Sequence, residues 1–531
     1  MKALLMHRDR DFELATSLPA QAPQLIQDLG LEVLLNAMAA GDPFLLEIAR
    51  LAVLGSLGDV AAIRYRQAIL RDCLGNPAVV RGMYELVVET IEAKKKHYWG
   101  FSTRRPDSIL YRSVELLRLL VNLLRQLRRI AEAHGSVFRS EGFRTLFAML
   151  SRELDDRYLA AVEGHIEQLK FRRGPLISAR LAPGMAGTDL VLRRPNPDDR
   201  FWIQRLLGPR GKSYTFHVHE RDEAGGRIVG ELKERGLSLV ANAAGQAVDH
   251  IVSFMDMLRI ELAFYIGCLN LHDGLAATGM PICFPDPVPG CERRHSAAGI
   301  YDPCLALVGG RAVIGNDLAA DRKDLFIITG ANQGGKTTWL RGIGLAQLMM
   351  QCGLFVAARS FSANLCSGLF VHFRREEDAG MRFGKFEEEL QRISTIVDGL
   401  ATDGMVLFNE SLQSTNEREG SEIGRQIVAA LLASRIKVFF VTHMYDLAQG
   451  LHAKRLPNAI YLRAERRPDG TRSFRILPGA PLATSYAKDV YDEIFGLAEG
   501  DRSSAGDADT AALTGQLYLT TSTADEHHNP G

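Results

Sequence analysis

The chain has 531 residues, equal numbers of basic and acidic side chains (63 of each) and a formal charge of zero. At 46% hydrophobic and 24% charged residues it has the composition of a folded globular protein, too long for one ordinary core, and its length suggests about three or four domains. Neutrality excludes a global electrostatic pull toward nucleic acid or membrane, so any such contact must come from a local patch.

The first eleven residues, interrupted by His7, Arg8, Asp9 and Arg10, contain no apolar run of signal-peptide length. The weakly polar stretch 343–358 is too short to span a bilayer. Seven scattered cysteines without a C-x-x-C pair point to reduced thiols, and with the other features to a cytoplasmic protein without a membrane partner.

Along the chain, residues 1–75 contain a helix-like segment near Leu25 to Ala40 and then Ile63-Arg64-Tyr65-Arg66-Gln67. Residues 76–172 are strongly helical, with Leu116, Leu117, Leu119, Leu120, Leu123, Leu124 and Leu127 forming an apolar stripe. Arg118, Arg125, Arg128 and Arg129 on the same helix are read as a solvated face. Residues 173–237, punctuated by Pro and Gly, contain short β-like runs (Asp189 to Leu192, Tyr214 to Val218), and are expected to be a small β-rich insertion. Helical periodicity returns around Gln246, so that 238–290 read as a returning helix and a Pro-rich linker. Cys283, Cys291 and His295 in that region lack the paired spacing of a metal site. Residues 291–499 alternate strand and helix patterns, and 500–531 have the composition of a disordered tail.

Within 291–499, Gly330-Ala331-Asn332-Gln333-Gly334-Gly335-Lys336-Thr337 satisfies G-x-x-x-x-G-K-[ST] between an apolar strand-like run and a helix. Glycines let backbone N–H groups curl around phosphates, Lys336 reaches the β- and γ-phosphates, and Thr337 offers a hydroxyl to Mg²⁺. A second apolar run, 404–408, delivers Asn409-Glu410, with Asn409 able to hold Mg²⁺ through water and Glu410 able to orient the attacking water. A third, 437–442, ends in His443, placed to sense the γ-phosphate. Ser414, Thr415 and Asn416 either cap the next helix or face a nucleotide on a partner subunit.

These segments, with Thr338, Val313 to Leu318 and Thr442-His443, resemble the MutS family of DNA mismatch-repair ATPases over most of residues 25–495. The resemblance implies a multi-domain fold: an α-helical core and lever domain with a small β-rich clamp, followed by an α/β P-loop ATPase domain of ABC type. It implies ATP and Mg as cofactors, catalysis by Glu410, Lys336 and His443, and a homodimer in which Ser414, Thr415 and Asn416 close the neighbour's site. It further implies an ATP-gated clamp on DNA, with Arg193, Arg194, Arg205, Arg210 and Lys212 meeting phosphates, and a downstream repair or recombination partner. The family's Asp-Glu pair is Asn409-Glu410 here, and its mismatch-reading Phe-x-Glu wedge is not found ahead of the core region, so branched or distorted duplex is the expected DNA substrate. An ATP-gated protein scaffold and a transporter-type ATPase subunit are the rival readings.

Overall fold

The computed structural model describes residues 1–482 apart from 16, 99–104, 172–173, 182, 184–186, 195–216, 220, 311, 376–383 and 468. Its first part is helical: α1 (Ala22–Leu29), α2 (Leu31–Ala39), α3 (Pro43–Leu54), α4 (Val60–Gly75), α5 (Pro77–Tyr98), α6 (Pro106–His134), α7 (Glu141–Glu153) and α8 (Asp156–Leu169). The single helix expected near Leu25 to Ala40 is two, because Gly30 adopts φ 65° and turns its N–H back to the carbonyls of Ile26 and Gln27. Asp42 and Asp59 start α3 and α4 by accepting backbone N–H groups of the first turn.

The leucine stripe of α6 is buried. Leu110, Val114, Leu117, Leu120 and Val121 pack on Leu237, Ala241, Ala244, Val248 and Val252 of a 55-residue helix, α9 (Glu223–Ala277). Two of the arginines expected on the solvated face form ion pairs there, Arg125 with Glu163 and Arg128 with Glu132 and Asp156. Between α8 and α9 lies an antiparallel hairpin, β1 (Leu176–Leu181) and β2 (Gly187–Arg193). The expectation of β structure through residue 237 is corrected here, since α9 begins at Glu223, with the Asp222 side chain accepting the Gly225 N–H. Gly225, Gly226 and Gly230, together with exposed Ile228, Val229 and Leu232, hide that helix start from a periodicity reading.

The second part is α/β: β3 (Asp286–Val288), β4 (His295–Ile300), α10 (Pro303–Gly309), β5 (Asn316–Ala319), β6 (Leu325–Gly330), α11 (Lys336–Gln351), β7 (Ser360–Asn364), β8 (Leu369–Phe373), α12 (Lys385–Gly399), β9 (Met405–Asn409), α13 (Glu417–Ala433), β10 (Lys437–Val441), α14 (Tyr445–Ala453), β11 (Ala459–Arg466) and β12 (Arg472–Pro478). A six-stranded sheet has the order β12-β11-β6-β10-β9-β8, parallel from β11 to β8 with β12 antiparallel at the edge. A four-stranded sheet has the order β3-β7-β4-β5. The Pro-rich linker expected at the end of 238–290 is therefore corrected, because β3 pairs with β7 and Cys283 bridges Val356. Its proline is tolerated because β3 is an edge strand.

Both faces of the larger sheet are covered. Phe326, Ile328, Leu407, Phe439 and Val441 face α11, while Leu325, Ile327, Val406, Phe408, Val438 and Phe440 face the side of α13 and α14. Near-continuous apolar strands follow from that double burial.

A polypeptide strap near the N-terminus ties the two parts together. Fully buried Glu261 of α9 accepts the N–H groups of Leu5 (2.5 Å), Met6 (3.4 Å) and Phe12 (3.2 Å), and the Tyr265 hydroxyl donates to the Leu5 carbonyl (2.5 Å). Arg66 of α4 donates to the Met6 carbonyl (2.8 Å) and to the Cys352 carbonyl just past α11 (3.3 Å). Burial pushes the Glu261 carboxyl up from 4.5 to about 7, against the pull of its three N–H donors. A carboxyl raised in the folded state stabilises most below the unfolded value and loses that contribution as pH rises through 7. Melting curves are therefore expected to show stability falling between pH 4.5 and 8, by at most roughly 3 kcal/mol. Glu261→Gln, which keeps an acceptor, should flatten that slope; an unchanged slope would contradict the assignment.

Candidate functional site

Three adjacent strand ends meet at one edge of the six-stranded sheet. β6 runs into the glycine-rich loop, β10 into Thr442-His443 and β9 into Asn409-Glu410, so residues far apart in sequence become neighbours. The loop has the backbone of an anion cradle, with Gly330 at φ 111°, Gln333 at φ 57° and Gly335 at φ 85°. A side chain at Gly330 would have its Cβ 2.8 Å from the Ala464 nitrogen, so only glycine lets the loop lie against β11. α11 starts at Lys336, inside the motif itself, and aims its unpaired first-turn N–H groups at the same cleft.

Lys336 is buried, with Nζ donating to the carbonyls of Gly330 (3.1 Å) and Ala331 (2.8 Å). Burial lowers its pKa to about 8; nearby Glu410 opposes that shift and Arg472 adds to it. The Thr337 hydroxyl donates to Asn409 Oδ1 at 3.0 Å, which joins the two residues expected to hold Mg²⁺. His443 Nε2 donates to Glu410 Oε1 at 3.0 Å, and this bond is the main reason the Glu410 carboxyl lies below its usual range. Glu410 itself takes φ 55° while its N–H donates to the Val441 carbonyl, an uncommon conformation held by the neighbouring strand.

The cleft has a volume of about 1080 Å³, and Asn332, Gln333, Gly334, Gly335, Lys336, Thr337, Thr338, Glu410 and His443 all line it. That volume is enough for a nucleoside triphosphate. Gly330 and Ala331 contribute through the carbonyls that hold Lys336. Ser414, Thr415 and Asn416 do not line this cleft. Thr415 donates to Glu419, and Asn416 caps α13 by accepting the Arg418 N–H. The Ser414 hydroxyl has no hydrogen-bond partner among the described residues.

Of the basic residues expected on the β insertion, Arg193 and Arg194 are exposed at the end of β2, and Arg193 Nε donates to Ser178 Oγ (2.9 Å). Arg205, Arg210 and Lys212 lie outside the described residues. His295 is fully buried against the rings of Phe326, Phe361 and Phe439, and no group of three His, Cys, Asp or Glu able to hold a metal occurs among the described residues. No described helix is long and apolar enough to cross a membrane.

Several lining residues escape the motif reading. Phe474, at φ 58° on β12, lies over the loop, where a Cβ on Gly335 would sit 3.6 Å from its own Cβ. Asn316 holds that strand in place, donating to the Phe474 carbonyl (3.2 Å) and accepting the Ile476 N–H (2.7 Å). Arg374 and Gln413 complete the side facing Glu410. Arg374 follows β8 directly, so recognising Leu369–Phe373 as a further parallel strand would have pointed to it; nothing local marks Phe474.

Residues 58–278 match the MutS2 N-terminal domain, and residues 326–490 match MutS domain V. The chain is 31% identical over 227 residues to the DNA mismatch repair protein MutS of Syntrophomonas wolfei, an alignment covering 41% of this chain and 26% of that protein. It is 32% identical over 189 residues to the endonuclease MutS2 of Thermus thermophilus (35% and 24%), and 28% identical over 166 residues to MutS protein homolog 4 of Mus musculus (31% and 17%). The matched stretches thus span about a quarter or less of these relatives' lengths. Two domain matches in tandem, over both the helical and the α/β parts, place this chain in the MutS family.

Proposed function

We propose that this chain binds ATP at the shared strand edge, hydrolyses it there, and uses that cycle as a homodimer to control a clamp on DNA, with distorted or branched duplex as the preferred substrate. The observation that carries the reading is the convergence of Lys336, the Thr337–Asn409 pair and the His443–Glu410 pair on one cleft. The names of the relatives, a DNA mismatch repair protein and an endonuclease, support DNA as the macromolecular partner. The extended α9 and its hairpin supply an arm with exposed Arg193 and Arg194 for phosphate contacts.

In this reading the loop N–H groups and Lys336 hold the β- and γ-phosphates. Glu410, kept ionised by the His443 N–H, accepts a proton from the water that attacks the γ-phosphorus. Thr337 and Asn409 would hold Mg²⁺, which when bound neutralises phosphate charge; their 3.0 Å contact and purely neutral donor set fit an ion that arrives with the nucleotide. Ser414, Thr415 and Asn416 are assigned to the neighbour's nucleotide. A protein partner in place of DNA is the second reading, favoured by the zero formal charge.

Replacing Glu410 by Gln is expected to cut ATP turnover by about 100-fold or more while nucleotide binding persists. Equal turnover in the variant would remove Glu410 from catalysis. Bound phosphates favour protonated Lys336, so nucleotide affinity should be level below pH 8 and fall by up to about tenfold per pH unit above it. Calorimetry at pH 9 in buffers of different ionisation heat should register proton uptake on binding, and none would contradict that role. For the DNA partner, affinities for homoduplex, single-mismatch and four-way-junction DNA are compared with ADP and with a non-hydrolysable ATP analogue, at several salt concentrations. The expected result is a nucleotide-dependent preference for the junction; binding insensitive to nucleotide would refute the clamp and favour the protein partner.

A further inference from the structure

We infer that Arg374 is a further catalytic residue, whose guanidinium contacts the γ-phosphate and stabilises the charge that moves there as the phosphoryl group leaves ADP. The inference rests on the ATP-hydrolysing reading above and adds to it a cation from the opposite side of the cleft to Lys336.

Arg374 is the first residue after β8, the strand beside β9. Its N–H donates to the Asn409 carbonyl at 3.0 Å, which pins its backbone next to the strand end that delivers Asn409 and Glu410. Its side chain lines the cleft together with Lys336, Glu410, Gln413 and His443. Its positive charge is also one of those holding the Glu410 carboxyl low.

Neighbouring arginines on this edge have structural partners. Arg375 donates to Gln27 (3.1 Å), and Arg392 donates to the Phe373 carbonyl (3.1 Å) and lies 3.9 Å from Asp28. The Arg374 side chain has a 3.4 Å contact with Gln413 Oε1, long for a charge-assisted hydrogen bond. Lys336 belongs to the loop side of the cleft, as does Arg472 behind it, whose Nε donates to the Asn332 carbonyl (3.1 Å). A cation at the end of β8 therefore faces the phosphate from the side of the attacking water.

In the step concerned, a water oxygen forms a bond to the γ-phosphorus and the bond from that phosphorus to the bridging oxygen breaks, with the electron pair going to ADP. The water proton passes to Glu410 and then to solvent. Charge on the transferring group and the bridging oxygen is what a fixed guanidinium stabilises more in the transition state than in bound ATP.

The test uses the full chain with Arg374→Ala and Arg374→Lys, and reads turnover, binding of a non-hydrolysable ATP analogue, and binding of ADP with aluminium fluoride and magnesium as a transition-state mimic. Arg374 is exposed, and melting temperatures check that both variants fold. Arg374→Ala is expected to lower kcat by about 100-fold, to leave KM and analogue affinity within about threefold, and to lose the fluoride complex selectively. Arg374→Lys should recover part of kcat. Unchanged kcat, or equal losses of both complexes, would overturn the assignment while leaving ATP hydrolysis intact. Absence of turnover in the unsubstituted chain would overturn the assignment and the functional reading together.

Discussion

Everything in the cleft depends on parallel pairing in a fixed register. β8, β9, β10, β6 and β11 run the same way, with Ile328 opposite Val441 and Val441 opposite Asn409. Strands in a sheet lie about 4.8 Å apart, so the ends of β6, β10 and β9 fall within about 10 Å of one another. A slip of one residue would turn every side chain to the opposite face. Burial on both faces prevents that: Phe326 stacks on Phe439 at 3.8 Å on one side, and Phe408 on Phe440 at 4.9 Å on the other. Packing of apolar side chains in the sheet interior thus fixes where the polar groups at its edge stand.

The same sheet is joined to the helical body through the far end of α11. Leu57 donates its N–H to the Gln351 carbonyl at 2.7 Å, and Arg66 bridges Cys352 and the strap that Glu261 and Tyr265 hold against α9. Gly353 allows this approach, since at φ 88° a Cβ there would sit 2.6 Å from the Arg66 Cβ. The glycine-rich loop opens α11 and Arg66 meets its end, so hydrogen bonds and packed side chains run continuously from the cleft to the 55-residue helix. The bonds at the end of α11 are thus made by the same Arg66 and strap that α9 holds.

What could be read from the chain and what could not divide along physical lines. The loop 330–337, the pair 409–410 and His443 were legible because each follows an apolar run that is buried on both faces, and their chemistry depends on short, local spacing. The leucine stripe of α6 was legible because its partner face on α9 demands helical period. The start of α9 was not: Ile228, Val229 and Leu232 are exposed, so no buried face imposes a period on them. β3 reads as a linker in the sequence because Pro285 and Pro289 flank it and Pro287 lies within it, and only its pairing with β7, over 70 residues later, makes it a strand. Phe474 and Arg374 reach the cleft through strand pairing, which short-range sequence patterns do not record.

The central claim, that these strand ends act as one nucleotide site, is tested most directly by amide hydrogen exchange with and without a non-hydrolysable ATP analogue and magnesium. The account predicts slowed exchange in the loop and first turn of α11 together with slowed exchange after β9 and β10, around Glu410 and His443. Protection confined to other regions, or none at saturating nucleotide, would contradict it.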